Sequence, residues 1–137
     1  MKELMDLHSG NILYLKHFNY WYIGDLGFCG PVEKPLKSIY GNLSYIAPEV
    51  ICGKEYTKAS DIYSIGMLIW EISAGQPPFA NFDHDYDLVI NIVKGIRQRI
   101  VSGTPLEYKE IMKNCWDADP LKRPDAYTLM NKFKNIL

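Results

Sequence analysis

Asp6-Leu7-His8-Ser9-Gly10-Asn11 stands close to the start of the chain, followed by Asp25-Leu26-Gly27 and then by Ala47-Pro48-Glu49. Three carboxylates and an amide, all hard oxygen donors, occur here next to turn-forming residues. Between the first two stretches, Ile12 to Tyr14 and Trp21 to Ile23 are short apolar runs separated by polar residues around Lys16 to Asn19. That arrangement predicts a small β-hairpin with an acidic motif on either side, so Asp25 falls just after a strand. From Gly27 to Asn42 glycine, proline, lysine and serine become frequent and hydrophobic periodicity fades, which predicts a long loop. Loops of that length in compact domains are usually functional.

Downstream of Glu49 the pattern turns helical. Ser60 is read as an N-cap, and Ile62, Ile65, Leu68, Ile69 and Ile72 recur at helical spacing, while Met67 and Trp70 add apolar surface on other faces. A helix apolar nearly all round requires burial on every side. Gly75 ends it and Pro77-Pro78 block its continuation. Further helices are predicted at Tyr86 to Lys94, Leu106 to Trp116 and Asp125 to Asn135. The last carries Ala126, Leu129, Met130 and Phe133 on one stripe, continued by Ile136. The fold expected is mainly α: a helical bundle with one short hairpin near the N-terminus.

Composition bounds the function. The chain has 137 residues, 47% hydrophobic and 23% charged, with a formal net charge of -1, which places it among ordinary globular sequences. Scattered lysines and arginines leave no basic footprint for nucleic acid. No apolar run approaches the roughly 18 residues of a membrane span, since Asp61 and Glu71 bracket the most apolar segment. No secretory leader is recognisable. Cys29, Cys52 and Cys115 lack metal-ligand pairing, which suits a reducing intracellular, cytoplasmic setting and a packing role. His8, His17 and His84 show no i, i+3 or i, i+4 spacing and give no metal site.

Asp6-Leu7-x-x-x-Asn11, Asp25-Leu26-Gly27 and Ala47-Pro48-Glu49 together resemble the catalytic loop, metal-binding turn and activation-segment anchor of the eukaryotic protein kinases. Two further stretches extend the resemblance. Asp61-Ile62-Tyr63-Ser64-Ile65-Gly66 is similar to the start of the family's central buried helix, whose Asp supports the catalytic-loop backbone. Cys115-Trp116-Asp117-x-Asp119-Pro120-x-x-Arg123-Pro124 is similar to the segment whose Arg pairs with the Glu of Ala-Pro-Glu, here Glu49. The resemblance spans the whole chain, 1–137, as part of a protein kinase domain running from the catalytic loop to the last helix of the large lobe.

What the resemblance implies is transfer of the γ-phosphate of ATP to a protein Ser or Thr hydroxyl, in signal transduction. Asp6 would accept the hydroxyl's proton, and Asn11 and Asp25 would hold Mg2+ and thereby ATP. His8 stands near the transferred phosphate, where Ser/Thr kinases usually place a Lys, and an imidazole is only partly charged at neutral pH. Gly27, Glu49, Asp61 and Arg123 would be structural. Met5 replaces the Arg that receives an activation-loop phosphate in many kinases, Leu4 replaces the preceding His, and Asn42 replaces the Thr of the Gly-Thr element. Tyr40-Gly41-Asn42-Leu43-Ser44-Tyr45-Ile46 resembles the Ser/Thr and tyrosine-kinase-like pattern more than the tyrosine-kinase one.

Only five residues precede Asp6, so no Gly-rich loop, strand lysine or helix glutamate of a small lobe is expected within this chain, and ATP binding by it alone is expected to be weak. The partner implied is a protein substrate or a separate kinase lobe, without nucleic acid or membrane. The competing reading is a non-catalytic, pseudokinase-like binding module or a truncated gene product. The helix from Ser60 to Ala74 is expected to keep an uncovered apolar face.

Overall fold

The structure, a computed structural model, describes residues 12–15, 20–23, 43–83 and 86–136. Strand β1 (Ile12–Leu15) pairs antiparallel with β2 (Tyr20–Ile23), in the register Ile12 to Ile23 and Leu15 to Tyr20. This is the hairpin expected from the two apolar runs. The rest of the described chain is helical: a buried 3-10 turn at Leu43–Tyr45, then α1 (Pro48–Ile51), α2 (Lys58–Ala74), α3 (Tyr86–Val93), α4 (Leu106–Cys115), a second 3-10 turn at Pro120–Lys122, and α5 (Ala126–Ile136).

Helix α2 organises the bundle. It begins one turn earlier than Ser60 because Thr57 is the N-cap: the Thr57 hydroxyl accepts from the Ser60 amide, and the Ser60 hydroxyl accepts from the Thr57 amide. That reciprocal capping box satisfies two amides that would otherwise lack partners. Ser60 is thus the third helical residue, a correction to its reading as the cap. At the other end Gly75 adopts φ 70°, the left-handed geometry that glycine enters without a Cβ clash, and its amide closes on the Glu71 carbonyl.

The faces of α2 separate two clusters. Tyr63, Met67 and Trp70 join Leu43, Phe79, Leu88, Ile92, Met112 and Trp116 in the larger one. Ile62 joins Ile111, Cys115 and Leu129 in the smaller. Helix α4 packs most extensively on α2, and Gly66 is the reason it can come so close: a Cβ there would lie 2.7 Å from the Cβ of Cys115. Burial holds the Cys115 thiol protonated, its pKa pushed up to about 12, so this cysteine does pack. Cys52 is exposed and does not, which corrects half of the packing expectation, and Cys29 lies outside the described residues.

Burial around α2 is incomplete. Ile72 is 80% exposed, so the all-round burial implied by composition fails at its last turn. Ile69 and Ile72 instead line an open groove of about 560 Å3 with Val101, Pro105, Tyr108 and Phe133. The uncovered apolar face expected beside this helix is therefore present among the described residues. The stripe on α5 is likewise only half used: Leu129 is buried, Phe133 and Ile136 are partly buried, and Ala126 and Met130 face solvent. Asp125 caps α5 rather than opening it, accepting from the Thr128 amide at 2.7 Å.

Candidate functional site

Asp6, His8, Asn11, Asp25 and Gly27 lie outside the described residues, as do Met5, Tyr40 and Asn42. The described part of the site is the platform that holds the chain from Leu43 through Ile51 against α2. Pro48 opens α1, where a missing amide hydrogen costs nothing, and puts Glu49 in the first turn.

Glu49 meets Arg123 across 74 residues of sequence: Arg123 Nη1 donates to Glu49 Oε1 at 2.7 Å and Nη2 to Oε2 at 2.9 Å. The Arg123 side chain is fully buried and that of Glu49 is 10% exposed. A planar fork matched to both carboxylate oxygens is the strong form of ion pair. Arg123 also donates from Nε to the Asp117 carbonyl and from Nη1 to the Ala59 carbonyl, each at 2.9 Å. Its burial is therefore satisfied on several sides. Burial pushes the Glu49 carboxyl up, but the Arg123 hydrogen bond, its own backbone amide and the charges of Arg123 and Lys54 outweigh that and hold it below the usual value.

The ring of Tyr63 lies between two guanidiniums, with Arg97 and Arg123 each 5.2 Å from its centroid. Both contacts have the geometry of cation–π attraction. The Tyr63 hydroxyl is buried without a hydrogen-bond partner among the described residues, and burial drives its pKa upward.

Four further side chains, to which the motifs gave no role, seat the same segment. Ser64 donates to the Tyr45 carbonyl at 2.7 Å, Tyr45 donates to Glu71 Oε2 at 2.6 Å, and Ser44 donates to the Pro78 carbonyl at 3.1 Å. Ser64 could have been suspected as a polar residue on an otherwise apolar turn. Nothing local distinguishes Glu71 or Ser44. Phe79, next to that Pro78 anchor, holds φ 54° while nearly fully buried against Phe82, a sterically costly backbone for a non-glycine residue. Asp61 sits partly buried in the first turn of α2; the catalytic loop it would support lies outside the described residues.

What this arrangement can do is fix the segment from Leu43 through Ile51 rigidly onto a buried helix. Comparison with known proteins identifies the class. The sequence pattern of the protein kinase domain matches residues 4–133. The chain is 31% identical, over 96% of its length, to a probable serine/threonine-protein kinase of Dictyostelium discoideum, covering 14% of that protein. It is 32% identical, again over 96% of its length, to a probable LIM domain-containing serine/threonine-protein kinase of the same organism, covering 20% of that one. The chain belongs to the protein kinase family. It spans a fifth or less of each of these relatives.

Members of this family use ATP and Mg2+ in general. Asn11 and Asp25, which the resemblance nominates for Mg2+, offer an amide and a carboxylate oxygen, the kind of hard ligand that Mg2+ takes in ones and twos. Among the described residues there is no cluster of three or more metal-ligating side chains, and no helix long and apolar enough to cross a membrane.

Proposed function

We propose that this chain is the large-lobe part of a protein kinase catalytic domain, of the tyrosine-kinase-like group, that phosphorylates Ser or Thr hydroxyls of protein substrates in intracellular, cytoplasmic signalling. The observation that carries this reading is the bidentate Glu49–Arg123 pair, which joins two of the five collinear kinase motifs in space.

Phosphoryl transfer needs positioning and charge neutralisation more than covalent chemistry from the protein. Asn11 and Asp25 would hold Mg2+, which when bound neutralises charge on the ATP phosphates. Asp6 would orient the attacking hydroxyl and accept its proton. His8, two residues on, would lie beside the transferred phosphate and carry a positive charge there only when protonated. Leu43 through Ile51, pinned on α2 by Ser64, Glu71 and Arg123, would form the rigid shelf along which the substrate segment lies. The Ser/Thr preference draws on the Gly41 to Ile46 pattern and on the relatives' descriptions as serine/threonine kinases. A protein substrate and a kinase small lobe are the partners this reading calls for.

Radiolabelled ATP and a generic Ser/Thr substrate test it. The 137-residue chain alone should give background incorporation, because it holds no Gly-rich loop or strand lysine of the kind that grips the triphosphate. Joined to a compatible small lobe it should transfer phosphate, and Asp25→Ala should abolish the transfer. A folded two-lobe protein that binds substrate yet transfers nothing would favour the non-catalytic binding module.

A further inference from the structure

We propose that the pocket between α4 and the loop preceding it is a docking site for an acidic segment of a partner protein. The pocket measures about 430 Å3, and Arg97, Lys109 and Lys113 line it beside Ile100, Val101 and Trp116. Among the described residues, no acidic side chain lines it.

Lys109 and Lys113 are one turn apart on α4 and share a face. Like charges at that spacing disfavour a helix unless an anion lies between them. Neither lysine's ammonium makes an ion pair or hydrogen bond among the described residues. Arg97 supplies the third charge and is already held in place. Its Nε donates to the Trp116 carbonyl at 2.9 Å, its Nη1 to the Ile92 and Ile96 carbonyls at 3.0 and 2.9 Å, and its guanidinium stacks on Tyr63. All of those acceptors are neutral, so the charge has no counter-ion among the described residues. A cation fixed before binding loses little freedom when an anion arrives.

The occupant follows from the mixture of walls. Three cations ask for carboxylates, and Ile100, Val101 and Trp116 beside them ask for an apolar side chain. A free inorganic anion would leave those apolar walls unused. A peptide in which Asp or Glu alternates with an aliphatic residue uses both, and charge complementarity of this kind sets specificity and encounter rate. None of the residues to which the kinase reading gives a catalytic or metal-binding role is among those that line this pocket.

The test is fluorescence anisotropy of the 137-residue chain with a labelled peptide alternating Glu and Leu, against counterparts alternating Gln and Leu or Lys and Leu. The Glu peptide should bind, and its affinity should fall as salt is raised. The double change Lys109→Glu with Lys113→Glu should weaken it by about tenfold or more, which is about 1.4 kcal/mol. The same double variant should gain affinity for the Lys peptide, a readout that a misfolded protein would not give. Should the charge reversal disturb α4, Lys109→Gln with Lys113→Gln should still weaken the Glu peptide severalfold. Equal binding of the Gln peptide, unchanged binding by both double variants, or equally tight binding of inorganic phosphate alone would overturn the proposal.

Discussion

Gly66 and Cys115 touch backbone to side chain: a Cβ added to Gly66 would stand 2.7 Å from the Cβ of Cys115, closer than two carbons can pack. The contact sets how near α4 lies to α2, and both helices carry residues of the larger core cluster. Gly66→Ala should therefore destabilise by about 1 to 3 kcal/mol through overpacking. Cys115→Gly should recover part of that loss in the double variant, a coupling that urea denaturation of all four proteins measures.

Arg123→Ala should cost about 3 to 5 kcal/mol, because it leaves the Glu49 carboxylate largely buried without its counter-charge. Arg123→Lys should fall between the two, since an ammonium keeps the charge but cannot repeat the fork to Oε1 and Oε2. Thermal melts of the three proteins would rank them. A Lys variant as stable as the parent would mean that the fork geometry contributes nothing.

The same pair predicts a direction with pH. The Glu49 carboxyl is held below its ordinary value of 4.5 in the folded state. The unfolded chain therefore takes up this proton first on acidification. The stability contributed is fully present above the ordinary value, declines as pH drops below it, and is gone once pH passes under the lowered folded value. Urea midpoints measured from neutral pH downward should show this loss, and Glu49→Gln should flatten that part of the curve while lowering stability at neutral pH.

Ile72 is the exposed end of the apolar groove beside Tyr108 and Phe133. Ile72→Gln should leave the melting temperature nearly unchanged, because a side chain already in water has little burial left to lose. It should also reduce binding of a hydrophobic dye by the 137-residue chain. A large drop in melting temperature would show that this face is covered.

Local pattern carried much of this fold. The 3.6-residue spacing in α2 through α5, the stop at Gly75 and the two apolar strand runs are each written within a few neighbouring residues, and the structure agrees with them. The start of α2 was misread because Ile62 begins the apolar periodicity, and Ser60 precedes it as a cap should. The true cap lies three residues earlier, where the Thr57 and Ser60 hydroxyls each accept from the other residue's amide. The pairing of Glu49 with Arg123 was legible only through motif resemblance, since neither residue has a local signature. Tyr45 on Glu71 and Tyr63 between two arginines were not legible at all. Such contacts join elements far apart in sequence, and their polar or aromatic members look like ordinary helix residues until the helices are packed.

Arg123 distributes four hydrogen bonds among the carboxylate of Glu49, the carbonyl of Ala59 at the mouth of α2, and the carbonyl of Asp117 beyond α4. No one of these segments can leave without stranding a buried guanidinium against the other two. Their amides should then exchange with solvent as a single cooperative unit, opening together with one common free energy. Leu43 to Glu49 should exchange with that unit and not ahead of it.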